Sequence, residues 1–364
     1  MLVNTEQSVL YGSEMIRFAR RIVPVSAAIG LVATSCGGGQ SEPAVAEPTV
    51  AEPAVDDDGA EVPVVDAPVS VGAQGAIIVM VDDAVLRIPA DGSGEPTDLS
   101  AALDGVSAGA DNWIAPSRNG EWLVLDTERF ECEDWSCLAV ASSDLSQAAA
   151  VTVAGELVHP QDWGAISDDG LTLIITTEEG DNDLDLAILT RSGAEWSAPM
   201  TITGSSPHAF NERGRLIDGD SALLFDCGPS QYGQEGTGIC RISIDGTGFE
   251  RLISPEDGVG ATSSHAARSA DISPDGSVVF EADWEGTERL WRLLANGSTE
   301  LISGFTNDNS PCVLPDGSVV SLWLNRDANA EGLHELKVHA ADSADYEMLL
   351  ADIDIVDAGI HCTR

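Results

Sequence analysis

The side chains able to do chemistry cluster in a few short stretches. His159 is followed by Asp162 and Trp163 in VHPQDWGAIS, Asp111 and Trp113 stand in ADNWIAP, and His265 and Arg268 share SSHAARSADIS. His208, Asp308 and His361 complete the set, drawn from a chain with only 6 histidines. Histidine beside carboxylate can move protons or hold a metal, provided the groups converge in one pocket and their pKa values are displaced there. These histidines do not recur at one register, as a symmetric metal cluster would need. Two readings stay open: polar residues that hydrogen-bond between neighbouring elements, or residues that touch a ligand.

Other motifs carry less. Gly219-Asp220-Ser221-Ala222-Leu223 sets a serine behind an aspartate. No Gly-rich oxyanion partner and no C-terminal Asp-x-x-His accompany it, so no nucleophile is expected. His334, Glu335 and His339 miss the helical zinc spacing by one residue, and on a strand positions five apart face opposite ways. Asp181-x-Asp183-x-Asp185 alternates carboxylates that could wrap Ca²⁺. It lacks the Gly at loop position six and the Glu at position twelve, which leaves a weak calcium candidate. No other cofactor is expected.

Sixty-one acidic residues stand against 17 basic ones, a net charge of −44, and Lys337 is the one lysine. Such a surface repels phosphate backbones and anionic headgroups, which excludes nucleic acid as a partner and favours hydration in salty surroundings. Hydrophobic residues make up 43%, so a sizeable core can form, and 36 Gly with 17 Pro suit a fold of many tight turns.

The N-terminus reads as an address. Arg17, Arg20 and Arg21 precede an apolar run, Ile22 to Ala33, that is too short to span a bilayer. Ala33-Thr34-Ser35-Cys36 resembles the lipobox of bacterial lipoproteins, in which cleavage precedes a cysteine that receives diacylglycerol; Ala33 stands where that family usually has Leu or Val. The resemblance implies lipidation at Cys36. Residues 1–14 fit no part of a signal, which makes Met15 a candidate start. Residues 37–72 follow as an acidic Pro/Ala linker, expected to be extended and disordered.

A repeat positions everything downstream. A turn ending in glycine, then a short apolar strand, recurs at glycines 75, 120, 170, 219, 276 and 317, spaced by 45, 50, 49, 57 and 41 residues. That period suits a four-stranded propeller blade. The clearest units carry Ser273-Pro274-Asp275-Gly276 and Leu314-Pro315-Asp316-Gly317. Pro fixes φ at the first corner, Asp bonds back to the main chain and Gly takes the left-handed position. Residues 73–364 thereby resemble the propeller repeat of the TolB family, which implies an all-β, six-bladed β-propeller of four-stranded antiparallel blades. The 47 residues from Gly317 to Arg364 make one more period. The C-terminal strand is therefore expected to close the ring as the innermost strand of the blade that begins near Gly75.

Six cysteines remain besides Cys36. The register pairs Cys132 with Cys137 and Cys227 with Cys240 across hairpin loops, and Cys312 with Cys362 on neighbouring innermost strands. In the same register, Asp111, Trp113, His159, Asp162, Trp163, His208, His265, Arg268, Asp308 and His361 fall where innermost strands begin, at the mouth of a central channel. The expectation is a lipid-anchored, extracytoplasmic monomer that binds or scaffolds a cell-envelope protein, peptide or glycan without catalysis. The alternative is a carbohydrate-active lyase or hydrolase working at the channel mouth, as some TolB-like relatives do.

Overall fold

The computed structural model describes residues 75–364, apart from 82–83, 133–135, 160, 162–163, 179–182, 232, 325–332, 342–344 and 354–358. Cys36, the linker 37–72, Asp162, Trp163 and Asp181 lie outside the described residues. Among the described residues the chain is β throughout except for one short helix, Leu99–Asp104, which the glycine repeat gave no sign of. Asp98 caps it, its Oδ1 accepting from the Ala101 amide at 2.9 Å, and Leu99 and Leu103 anchor it in the core. No described helix is long and apolar enough to cross a membrane.

Three sheets are consecutive four-stranded antiparallel meanders. The first runs through Asp111–Pro116, Trp122–Thr127, Cys137–Ser142 and Ala148–Ala150. The next two run through Ala267–Ile272, Val278–Ala282, Arg289–Leu293 and Thr299–Leu301, then Asp308–Val313, Val319–Leu324, His334–His339 and Tyr346–Ile353. A fourth is drawn from both ends of the described chain, in the order Ile360–Cys362, Ala76–Val81, Ala84–Pro89, Thr97–Asp98. There Ile77 pairs with Cys362 and Val79 with Ile360.

The remaining period differs from the expected pattern. Two units, beginning at Ala165–Ile166 and Phe210–Ile217, are counted as one nine-stranded sheet. A single parallel bridge, Leu184 to Phe210, joins them. The Leu184 amide donates to the Ala209 carbonyl at 2.8 Å, and the Asn211 side-chain amide donates to the Leu184 carbonyl at 3.3 Å. Polar atoms of two adjacent units have simply found each other at close approach.

First strands touch first strands in sequence. Ile360–Cys362 meets Asp111–Pro116, which meets Ala165–Ile166; contacts then pass to Phe210–Ile217, Ala267–Ile272, Asp308–Val313 and back to Ile360–Cys362. Burial falls from the second strands outward. Ala76–Val81, Ala222–Gly228 and Val278–Ala282 are buried at every position, whereas Thr97–Asp98 and most of Thr299–Leu301 are exposed. An apolar run without alternation suits a strand covered on both faces, and each Leu, Ile or Phe so covered contributes roughly 1.5–3 kcal/mol. Ile78, Trp113, Leu123 and Ile175, from three successive units, share one core cluster.

The turns follow the expected chemistry. Gly276 donates to the Ser273 carbonyl at 2.9 Å while Asp275 Oδ1 accepts from the Ser277 amide at 2.9 Å. Gly317 and Asp316 repeat the pattern, and Gly276 and Gly317 have φ of 85° and 87°. Gly170 has a second reason to be glycine, since a Cβ there would meet the Trp122 ring at 2.3 Å. The three disulfides, Cys132–Cys137, Cys227–Cys240 and Cys312–Cys362, are those the register assigns.

Candidate functional site

Charge is concentrated where the first strands meet. Four of these strands carry a β-bulge; the one between Asp111 and Trp113 has no left-handed residue, and the other three lie between Glu212 and Arg215, between Arg268 and Asp271, and between Asn309 and Cys312. In each of those three a non-glycine residue sits in the left-handed region: Arg213 (φ 57°), Ser269 (54°) and Ser310 (50°). That conformation costs roughly 1–2 kcal/mol per residue, so it must be offset locally. The offset is visible at two of the bulges. The Ser269 amide donates to Asp226 Oδ1 at 3.0 Å, and the Ser310 amide donates to Glu281 Oε2. Each carboxylate comes from the second strand of the preceding unit, at the end of its apolar run.

These acids in turn hold arginines. Asp226 lies 3.8 Å from the Arg213 guanidinium, and Arg268 donates to both Glu281 and Glu288 and, at 2.8 Å, to the Gly233 carbonyl. Asp271 collects the rest. Arg118 donates to its Oδ1 at 3.1 Å, Arg215 stands 3.5 Å from its Oδ2, and the Val313 amide donates to Oδ2 at 2.8 Å. Arg118, Arg213, Arg215, Asp271 and His361 line a cavity of about 50 Å³.

Protonation follows from this crowding. Burial pushes the Asp226 carboxyl up to about 7, with Arg213 pulling the other way and Glu281 adding to the rise. Burial also opposes ionisation of Asp271, but Arg118, Arg215 and Arg364 outweigh it and hold its pKa below the usual carboxylate range. His361 is depressed to about 3 by burial and then by Arg215, so its ring is neutral. Arg268 is raised, Glu281 and Glu288 overcoming its burial.

Of the residues singled out in the sequence, His361 and Arg268 belong to this network. Asp111 and Trp113 are placed elsewhere. Asp111 is buried and paired with Arg129, whose Nε and Nη2 donate at 3.0 and 2.9 Å, and Trp113 packs in the core. His159 is exposed, its Nδ1 2.7 Å from the Ser136 carbonyl. His265 Nδ1 accepts from the Thr262 amide at 3.0 Å within its own turn. His208 lies with Cys227 and Cys240, and burial, then Arg251, lowers its pKa. The two sulfurs are joined to each other, so that grouping offers no thiolate to a metal. Asp185, the buried member of the calcium candidate, accepts from Thr203 Oγ1 at 2.5 Å and from Asn211 Nδ2 at 3.2 Å. Asp183 is half-buried.

Asp308 belongs to a second buried centre. Its Oδ2 accepts from Ser303 Oγ at 2.5 Å and lies 3.3 Å from His339 Nε2, which also meets Ser321 Oγ at 3.1 Å. Serine and aspartate share one ring nitrogen, so no proton relay from Ser321 through the imidazole is arranged. Beside them Lys337, fully buried, points its Nζ at three rings: 3.1 Å from the Trp323 centroid, 3.6 Å from Phe305 and 4.7 Å from Tyr346. Among the described residues the ammonium has no hydrogen-bond partner. Burial lowers its pKa to about 8, against the pull of Asp308 and Glu335. A sole lysine on an otherwise half-apolar strand was the available signal for this cage. For the axial arginines the signal was an acid closing the apolar run of the second strand, as in Leu224-Phe225-Asp226 and Val279-Phe280-Glu281.

No family model matches the sequence, and no curated protein matches it. Solved structures do. A structure described as a TolB of Agrobacterium tumefaciens aligns at 18% identity and a TM-score of 0.51, over 80% of this chain and 97% of that one. TolB from Acinetobacter baumannii aligns at 13% identity and 0.56, over 80% and 68%. A puromycin-hydrolyzing peptidase of Mycobacterium tuberculosis aligns at 14% and 0.48, over 78% of this chain but 44% of that one. The first two establish a TolB-like β-propeller fold and nothing about ligands.

Proposed function

We propose that residues 73–364 form a six-bladed propeller closed by their own C-terminal strand, anchored by lipid at Cys36 outside the cytoplasmic membrane. The module binds or scaffolds a cell-envelope protein, peptide or glycan and does no chemistry on it. The cyclic order of first-strand contacts, from Ile360–Cys362 around to Asp308–Val313, supports six sectors. The observation that carries the binding role is the axis itself. The charged groups meeting there surround a space of about 50 Å³, which suits one compact group and not a sugar ring or a peptide. Recognition of anything larger then falls to the loops around the rim, which six units bring together.

The test is photo-crosslinking of the full-length chain in cells, followed by capture from detergent-solubilised membranes, with Cys36→Ser as the comparison. The expected result is one envelope component crosslinked from rim positions, with fatty-acid labelling of the wild type and none of Cys36→Ser. Turnover of an oligosaccharide by the purified chain, lost on changing rim residues, would instead establish the enzymatic alternative.

A further inference from the structure

The guanidiniums at the axis outnumber the carboxylate they share. Among the described residues, Arg118 and Arg215 have one ion-pair partner between them, Asp271. Arg364, whose main-chain amide donates to the Arg118 carbonyl, feels Asp271 only at longer range, and among the described residues its Nε and Nη2 have no hydrogen-bond partner. Asp271 is already heavily engaged: its oxygens take Arg118, the Ile272 amide at 2.8 Å and the Val313 amide at 2.8 Å, with Arg215 close by. The side chains of Arg118 and Arg215 are only 20% and 16% exposed. Arginine cannot discard its proton to relieve this, and the neutral ring of His361 supplies no negative charge. Three guanidiniums thus gather around one side-chain carboxylate in a chain of net charge −44.

We propose that the axial cavity bounded by Arg118, Arg215 and His361, with Arg364 beside it, binds a compact monovalent anion. The planar, forked donors of arginine match a carboxylate edge, and a halide is satisfied by the same converging N–H groups. The anion is therefore either chloride from the medium or the carboxylate head of an acidic ligand reaching in from the rim. A volume of about 50 Å³ limits it to something of that size. The site stands whatever the rim binds, because it rests on the charges around Asp271 alone.

Chloride-35 NMR line broadening on the full-length chain reads the site directly. Titrated chloride should give saturable broadening, with affinity at least tenfold weaker in Arg364→Gln and in Arg118→Gln, and largely kept in Arg118→Lys, which retains the charge. Arg364→Gln guards against the case in which Arg118→Gln does not fold. Competition by formate and acetate separates the sources. Acetate displacing chloride as well as formate does means the cavity admits a carboxylate with a chain behind it; displacement by formate alone assigns the site to small free anions. Broadening that does not saturate, or that is unchanged in Arg364→Gln and Arg118→Gln, overturns the proposal.

Discussion

Two regions of this molecule bury cations in opposite ways. At the axis, arginines are held by carboxylates: Arg268 by Glu281 and Glu288 of its own unit, and Arg118 and Arg215 by Asp271 of another. Within the sheet of Asp308–Val313 and His334–His339, Lys337 is held by aromatic faces and makes no hydrogen bond among the described residues. The difference follows from the head groups. An ammonium can stand over a ring quadrupole and can lose its proton when burial demands it; a guanidinium keeps its charge and needs anions. The axis is thus a place where charge must be balanced by anions, and the cage a place where it can be shed. The bond between Cys312, in the cage's sheet, and Cys362, next to His361, ties the two together.

The largest effect should come from cutting that tie. Replacing Cys312 and Cys362 by serine frees a loop with a sequence separation of 50, worth about 4 kcal/mol on the chain-entropy model, and denaturant unfolding should show a loss of that size. Next, Asp271→Asn leaves the axial arginines without their shared carboxylate and should cost about 3 kcal/mol in the same measurement. Asp226 gives a pH signature. Its folded pKa of about 7 lies above the unfolded value of 3.8, so the folded state holds the proton longer and stability falls as pH rises from about 4 to 7. Asp226→Asn should flatten that fall. The smallest effect belongs to the cage. Lys337→Met should change stability at pH 7 by no more than about 1 kcal/mol, because rings accept an apolar side chain as well as an ammonium. Wild type, with its lysine depressed from 10.5 to about 8, should gain stability between about pH 8 and 10.5, and Lys337→Met should not. A large loss in Lys337→Met would erase the contrast between the two regions.

Much of the scaffold was legible because its signals are local. The left-handed glycines, the aspartates two residues before an amide, and the unbroken apolar second strands each mark a position by residue type. Three cysteine pairs then followed from the register. The site was less legible because its geometry depends on main-chain conformation at residues that advertise nothing. Arg213, Ser269 and Ser310 adopt positive φ without being Gly, Asn or Asp, and those bulges decide which side chains turn to the axis. His361 and Arg268 could be placed there by register, whereas Asp111 and Asp308 occupy comparable first-strand positions yet pair with Arg129 and His339 instead. Period fixes the strand; the bulge and the nearest opposite charge fix the side chain.

Amide hydrogen exchange on the disulfide-intact protein tests the closing strand most directly. If the strand Ile360–Cys362 completes the ring against Ala76–Val81, the amides that face across that pair, those of Ile78, His361 and Thr363, should exchange as slowly as those of the fully buried strand Ala222–Gly228, through global unfolding only. Exchange of the C-terminal amides within minutes, while Ala222–Gly228 stays protected, would contradict closure and remove the wall on which the axial cavity depends.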